Sequence, residues 1–466
     1  MPVNSFLDYP MTWKPDRNKL KRPVYLSLAD MMEADIRAGL LRPGTKLPPQ
    51  RELADFLDIN FTTVTRTYKL CEMKGLIYAE TGRGTFVSQH AARSITITAD
   101  NSIHSSIDLA FEASFEQCNG MVSEVARRVT GRKNMTQYLT YDDPAGSILQ
   151  RKAGIAWVKR LGMTTDIRHI AITSGAQNAL ELTLLALFAP GDRIAVDTYT
   201  YANFIELAKF HHLQLVPVDG DANGMLPEEL AEQCTQMHIK GIFLMPSCCN
   251  PTTVVISEKR KRALADVIQM YQLILIEDDI SAFLAPGVIK DYQGPLSRLV
   301  SEQSIYICST SKSICSGLRV AYMVYAEAFR EKLNQALFNV NVKTSGLNVQ
   351  IVTELINTGR ADEIVAEKRR LAAHVNQIFN RYFPEAPQTE QALAFYRWLP
   401  IPKKFQGIEA ENFFAEHGVQ VFHSSRFAGG SPKEEQFLRV ALSTVSEDQL
   451  EIGLDILRKL IGPRQV

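Results

Sequence analysis

Seven short apolar runs, at 169–173, 193–197, 213–218, 241–245, 273–277, 304–308 and 319–325, are separated by longer segments of helical spacing such as 177–188 and 258–271. This alternation limits the fold more than any other feature of the chain, because strands joined through helices form an α/β domain with a largely parallel sheet. Ligands of such sheets gather at the C-terminal ends of the strands. The residues with unusual chemistry fall at those ends.

The first run leads into Ser174-Gly175-Ala176-Gln177 and a long apolar helix, whose free N–H groups and positive end suit a phosphate. Ser-Gly before a helix is equally an ordinary cap. The second run leads to Thr198-Tyr199-Thr200-Tyr201, which puts an aromatic ring near the same edge, although a tyrosine there also serves as rim packing. The fourth ends in an extended turn, 245–253, that offers the amide of Asn250. The fifth ends in Glu277-Asp278-Asp279, and a carboxylate at the edge of a buried strand is costly without a cationic partner. A protonated pyridine nitrogen is one such partner.

The sixth run delivers Ser309, Thr310, Ser311 and Lys312, and seven residues later Arg319 opens the last run. A buried amine between hydroxyls, with an arginine close by, suits an aldehyde that carries a phosphate; desolvation and the nearby cation lower the lysine pKa. The alternative is a strand followed by a polar turn with two solvated cations. A lysine for an aldehyde, a carboxylate for a ring nitrogen, an amide for a ring oxygen, a ring to stack and a helix end plus Arg319 for a phosphate together describe pyridoxal 5'-phosphate.

Residues 107 to 463 resemble the fold-type I aminotransferases. The resemblance implies that Lys312 is the Schiff-base lysine, that Asp278 pairs with the pyridine nitrogen, that Asn250 of the N-P-T motif contacts the ring hydroxyl and that Tyr201 stacks on the ring. It further implies that Ala176, Gln177, Ser309 and Arg319 hold the phosphate, and that Tyr141 in YDDPAG reaches the phosphate of a partner subunit, hence a homodimer. Arg439 in FLRV matches the arginine that receives a substrate or effector carboxylate, a natural task for a bidentate guanidinium. An exposed strand arginine is the alternative. A large domain over 107–340 is expected, then a connecting helix and a small α+β domain over 341–466, with a helix at 361–383, strands at 393–398, 419–422 and 436–442, and a last helix at 447–461.

The front of the chain has another pattern. Helical spacing is expected at 24–39 through Tyr25, Leu28, Ala29, Met32 and Ile36, at 50–57, and at 62–74 through Val64, Tyr68, Leu70 and Met73. Strand-like runs at 76–79 and 84–87 flank Thr81-Gly82-Arg83, and the whole predicts a winged helix-turn-helix. Thr62, Thr63, Thr65, Arg66 and Lys69 face away from the apolar side and suit a major groove of double-stranded DNA, with Arg51 and Arg83 for phosphates or a minor groove. A solvated face on a small helical domain is the alternative. Residues 23 to 88, with LPPQRELA and GRGTFV, resemble the GntR-type winged-helix domain of bacterial transcription regulators, departing at Phe61, where a basic residue is common. The expected division is 1–88 for this domain and 89–106 for a linker, with an edge strand at 95–97 as the alternative.

Composition sets bounds. The 466 residues are 45% hydrophobic and 22% charged with zero net charge, which argues against nonspecific coating of nucleic acid. No apolar stretch approaches membrane-spanning length and no leader pattern precedes the first helix, so a cytoplasmic protein without membrane partner is expected. Seven scattered cysteines, none spaced C-x-x-C, read as reduced, mostly buried thiols, with no metal site.

A GntR-type head on an aminotransferase-like body is similar to the MocR subfamily of regulators. The resemblance implies a DNA-binding transcription regulator that holds pyridoxal phosphate at Lys312 and senses an amine or amino-acid effector, or pyridoxal phosphate itself; a working aminotransferase acting on an amino acid is the alternative. Three positions depart from the family: Thr253 where glycine is usual, Ile280 where a tyrosine helps hold the ring hydroxyl, and Tyr199 in place of a common proline. With Ile280 there, slow or absent turnover is expected.

Overall fold

The computed structural model describes residues 11–80, 83–88, 91, 95–97, 106–387, 389, 391–430 and 434–462. At the front, helices Val24–Arg37, Gln50–Leu57 and Phe61–Met73 are followed by a hairpin of strands Ile77–Glu80 and Gly84–Val87. Gln50–Leu57 begins behind Pro49 and stops where Asp58 turns left-handed at φ 48°. Asn60 caps the next helix, its side chain accepting from the Thr62 amide at 2.8 Å. Leu28, Met32, Leu53, Leu57, Val64 and Tyr68 close a core of their own.

The buried stripe of Phe61–Met73 is Val64, Thr67, Tyr68 and Cys71, a strict i, i+3, i+4, i+7 series. Leu70 and Met73, expected inside, are half-buried flanks of that stripe. Thr81 and Gly82 of the expected turn, and most of the expected linker, lie outside the described residues. Residues 95–97 form no strand; the Ile97 amide donates to Asn203 Oδ1 at 2.6 Å while Asn203 Nδ2 donates back to the Ile97 carbonyl at 3.3 Å. One side chain thus satisfies both backbone groups that a neighbouring strand would have paired.

The large sheet has seven strands in the spatial order Ile170–Thr173, Ala321–Tyr325, Ser304–Ser309, Ile274–Asp278, Gly241–Leu244, Arg193–Asp197 and Gln214–Val218. Ala321–Tyr325 runs antiparallel to both neighbours and the remaining pairs are parallel. Alternate side chains go to opposite faces. Ile194, Val196, Phe243 and Ile276 pack with Leu180 and Leu184 of helix Ala176–Leu187, whereas Ala195, Ile242, Leu244 and Leu275 pack with Leu264 and Ile268 of helix Glu258–Met270. The parallel strands all present their C-terminal ends to one edge.

Arg319 does not open the last strand. It adopts a left-handed conformation, φ 51°, after the short turn Ser316–Leu318, and pairing begins at Ala321. The left-handed residue reverses the chain so that an antiparallel strand can follow.

The C-terminal part contains helix Arg360–Tyr382, a sheet of Tyr396–Ile401, Gln436–Ala441 and Phe422–His423, and helix Glu447–Ile461. The run expected as one strand at 419–422 is two. Val419–Gln420 pairs in parallel with Ile107–Asp108, and Phe422–His423 pairs with Gln436–Ala441, because buried Val421 is where the chain passes from one pairing to the other. Among the described residues no helix is long and apolar enough to cross a membrane. The seven cysteines are all unpaired, Cys234 half-buried and the rest buried.

Candidate functional site

Lys312 projects from a single helical turn, Thr310–Ser313, that follows directly on strand Ser304–Ser309 and is capped by the Ser309 hydroxyl accepting from the Ser311 amide at 3.2 Å. Its Nζ is not held by hydroxyls. It donates to the Glu112 carbonyl and, at 3.5 Å, to that of Ala113, and lies 3.3 Å from Glu112 Oε1. The local reason is that the neighbouring hydroxyls are already engaged: Ser309 caps the turn, and Ser311 Oγ accepts from Arg319 Nη1 at 3.0 Å. Burial pushes the Lys312 pKa down, and the Glu112 charge opposes it. From behind, Lys368 Nζ donates to the carbonyls of Lys312 and Ile314 at 2.9 Å each.

Gly175 precedes helix Ala176–Leu187 at φ 87°, and a Cβ there would stand 2.5 Å from Arg319 Nη2 and 2.9 Å from its Cζ. Glycine therefore both permits the turn and makes room for the guanidinium. Ala176 and Gln177 open the helix directly behind this corner, while Ser309 is the end of the strand that pairs through Ala321 with the strand ending at Thr173. Gln177 Nε2 reaches the Asn203 carbonyl at 3.5 Å, and its Oε1 is buried without a partner among the described residues.

Asp278 is the last residue of its strand and only 2% exposed. Its Oδ1 has no hydrogen-bond partner among the described residues, and burial, then the Asp279 charge, pushes its pKa up to about 7. Asp279 is differently placed, its Oδ2 accepting from Ser247 Oγ at 2.8 Å. Tyr201 caps helix Ala202–Phe210; burial raises its pKa, with Asp278 and Glu112 adding to the shift and Arg439 and Arg319 opposing it. Four charged groups from four distant segments thus act on one phenol.

Arg439 is 1% exposed, which rules out an exposed strand arginine. Its Nη1 donates to Asn250 Oδ1 at 3.1 Å and its Nη2 to the Ala110 carbonyl at 2.6 Å, while Nε is buried without a partner among the described residues. The rings of Phe427, Phe422 and Tyr396 surround the guanidinium at 5.1, 5.3 and 5.7 Å. Tyr141, by contrast, is 90% exposed, far from being enclosed by its own chain.

Two of the departures have structural correlates. Thr253 sits at φ 61°, a conformation that glycine adopts freely and a β-branched residue adopts at a cost, which explains why glycine suits that position. Ile280 packs half-buried in the cluster that contains Tyr201 and brings no hydroxyl. Sequence reasoning missed Glu112 and Lys368. Glu112 left a trace, a lone carboxylate in the apolar segment 109–115; Lys368 left none, being one charge among many on an amphipathic helix.

On the front unit, Arg51, Thr62, Arg66, Lys69 and Arg83 are exposed, and Thr63 and Thr65 are half-buried. Arg22, Tyr25, Thr62, Thr63 and Arg66 line one open groove. Thr65 is committed within the fold, its hydroxyl donating to Gln50 Oε1 at 2.8 Å, and Arg51 lies over the Phe61 ring at 5.8 Å.

The sheet, its edge of convergent polar groups and the small C-terminal sheet define a fold-type I aminotransferase fold, here behind a winged helix-turn-helix. Residues 110–457 match the family Aminotransferase class I and II, and residues 24–87 match the bacterial regulatory proteins of the gntR family. The chain is 36% identical to the HTH-type transcriptional regulator YdeF of Bacillus subtilis, over 99% of both chains. It is 27% identical to the vitamin B6 salvage pathway transcriptional repressor PtsJ of Salmonella typhimurium, over 92% of this chain and 97% of that one. Kynurenine aminotransferase of Pyrococcus horikoshii shares the fold, with a TM-score of 0.69 and 21% identity, over 77% of this chain and 91% of that one. The chain belongs to the aminotransferase class I and II family and joins it to a GntR head, the architecture of the MocR regulators.

Proposed function

We propose that the protein is a homodimeric, cytoplasmic transcription regulator that binds operator DNA through its front unit and holds pyridoxal 5'-phosphate in the body. The observation that carries this reading is the buried Oδ1 of Asp278, without a partner among the described residues, at the sheet edge from which Lys312 also projects, in a chain with a GntR head. A buried carboxylate without a partner needs a cation. The pyridine nitrogen of the cofactor is of the right chemistry, and the Arg319 guanidinium that Gly175 admits beside a helix N-terminus suits its phosphate.

In this reading Lys312 takes the aldehyde carbon, Asp278 the ring nitrogen, Asn250 the ring hydroxyl and Tyr201 the ring face. Ala176, Gln177, Ser309 and Arg319 take the phosphate, with Tyr141 of each chain serving the other. Once bound, the cofactor supplies an electrophilic carbon and an electron sink. Arg439 receives the carboxylate of an amino-acid effector and orients it. Ile280 leaves the ring oxygen without the extra hydroxyl that controls protonation, so the site favours binding over turnover. Arg51, Thr62, Thr63, Arg66, Lys69 and Arg83 contact DNA, Thr65 acting there chiefly as a support. An effector changes the spacing of the two heads only through different affinity for the two arrangements.

The test is a spectral titration of the purified full chain with pyridoxal phosphate and amino acids, beside binding to the DNA upstream of its own reading frame. A visible absorbance band that is lost in Lys312→Ala, together with a ligand response of DNA binding that is also lost, is expected. No band, and DNA binding indifferent to Lys312, would end this reading.

A further inference from the structure

Tyr199, which stands in place of a common proline, has no part in the function proposed above, yet its ring helps to close a second cavity of about 320 Å³. On one side are the end of strand Arg193–Asp197, the hairpin strands Gly220–Asp221 and Gly224–Met225, and the residues Cys249, Thr252, Val254 and Ile256. Trp398, Glu435 and Phe437 of the C-terminal part line the other side. The cavity shares a wall with the site already described, since Cys249 precedes Asn250, which accepts from Arg439.

Three half-buried rings line it. Trp398 and Phe437 stack at 5.0 Å and 11°, and Tyr199 crosses them at 61° and 71° with its centroid 5.3 and 6.2 Å away. The backbone fixes Tyr199 there: the Thr200 amide donates to the Phe427 carbonyl at 2.8 Å and the Gly429 amide to that of Thr198 at 2.9 Å. A proline at 199 would leave the wall without this ring.

The charged side chains on the wall are all acidic: Asp197, Asp221 and Glu435. Asp221 is engaged, accepting from Arg260 Nη2 at 2.8 Å and from the Asn223 amide at 2.7 Å, and Glu435 is exposed. Asp197 is half-buried, and its partner among the described residues is the thiol of Cys249, a weak donor 3.8 Å from Oδ2. Burial pushes its pKa up to about 7, with no cation among the described residues to oppose the shift. A carboxylate and the faces of aromatic rings both attract a cation and repel an anion.

From this cavity we infer a second ligand site, which takes a small organic ammonium ion. The positive charge lies between the Asp197 carboxylate and the rings of Tyr199, Trp398 and Phe437, and the apolar part of the ion lies against Val254 and Ile256. Binding is noncovalent and does not depend on the cofactor. An uncharged molecule of the same shape satisfies the rings but leaves Asp197 without a counter-charge.

Choline is a suitable probe, because its quaternary nitrogen cannot condense with an aldehyde and so cannot react with the cofactor. Its uncharged counterpart is 3,3-dimethylbutan-1-ol. In isothermal titration calorimetry with the purified full-length protein, choline is expected to bind at least ~10-fold more tightly than the alcohol. In Asp197→Asn the ratio should fall to ~3-fold or less, the part that the rings supply. Choline should also change the tryptophan fluorescence of the unaltered protein, and saturating pyridoxal phosphate should not displace it. Should Asp197→Asn fail to fold, the choline-to-alcohol ratio and the fluorescence change in the unaltered protein still decide. Absence of saturable choline binding, equal affinity for the two probes, a ratio that survives in Asp197→Asn, or displacement by pyridoxal phosphate overturns the inference and leaves the cofactor reading standing. A protein that takes up no pyridoxal phosphate but prefers choline removes the cofactor reading alone.

Discussion

Lys368 Nζ donates a 2.9 Å hydrogen bond to the carbonyl oxygen of Lys312, so helix Arg360–Tyr382 of the C-terminal part supports the backbone from which the site lysine projects. Lys368→Met leaves that carbonyl and the one of Ile314 without their donor. A loss of about 2–4 kcal/mol of stability is expected, measured by chemical denaturation. The effect has a pH signature. Burial pushes the Lys368 pKa from 10.5 down to about 8, so between those values the unfolded chain binds the extra proton and stability rises with pH. The advantage of the unaltered protein over Lys368→Met should therefore grow as pH is raised from about 8 to about 10.5.

Asp278 titrates in the opposite sense. Its pKa is raised from 3.8 to about 7, so in the cofactor-free protein the folded state binds the extra proton between those values and stability falls as pH rises through that window. Asp278→Asn removes this dependence and should make the cofactor-free protein more stable at pH 8, on the order of 3 kcal/mol. The same change should weaken uptake of pyridoxal phosphate by at least ~10-fold through loss of the charged partner. Thermal melts across pH, with and without cofactor, check both halves.

A methyl group at Gly175 meets the Arg319 guanidinium at 2.5 Å, and the backbone there has φ 87°. Gly175→Ala should displace Arg319 and weaken binding of pyridoxal phosphate and of inorganic phosphate together. Binding of free pyridoxal, which carries no phosphate, should change far less. Fluorescence titration with the three probes separates the outcomes.

Thr253 is held at φ 61° in the turn that presents Asn250. Relief of left-handed strain is worth roughly 1–2 kcal/mol, offset in part by glycine's larger unfolded-state entropy. Thr253→Gly should thus raise stability by about 0.5–1 kcal/mol and move Tm upward in a thermal scan.

Arg66 is exposed on the third helix beside the groove formed with Arg22 and Tyr25. If it contacts a phosphate, Arg66→Ala should lower the slope of log affinity against log salt by about 0.9. Thr65→Ala should act instead on stability, since its hydroxyl joins two helices through Gln50. Anisotropy titrations at several salt concentrations distinguish the two.

Most of the architecture was legible because it is written in local periodicity. Helix Gln50–Leu57 and strands Arg193–Asp197 and Gly84–Val87 have the bounds that spacing and punctuation give, and the helix Glu447–Ile461 follows a capping box at Ser446 and Gln449. Strand ends also marked Lys312, Asp278 and Asn250 as candidates, since polar groups at the ends of apolar runs have to be explained. Errors occurred where a non-local partner decides. Residues 419–423 read as one strand, yet their pairing splits between Ile107–Asp108 and Gln436–Ala441, and no local signal carries that division.

By itself the chain determined a winged head, an α/β body and a set of polar strand ends, all of which follow from the spacing of apolar residues and the placement of Gly, Pro and capping side chains. Only the tertiary structure decided what those ends face. Glu112 meets Lys312 across 200 residues, and Arg439 meets Asn250 across 189. Such pairs depend on how the segment 109–115 and the strand Gln436–Ala441 pack onto the sheet edge, and burial there turns ordinary charges into groups that demand a partner.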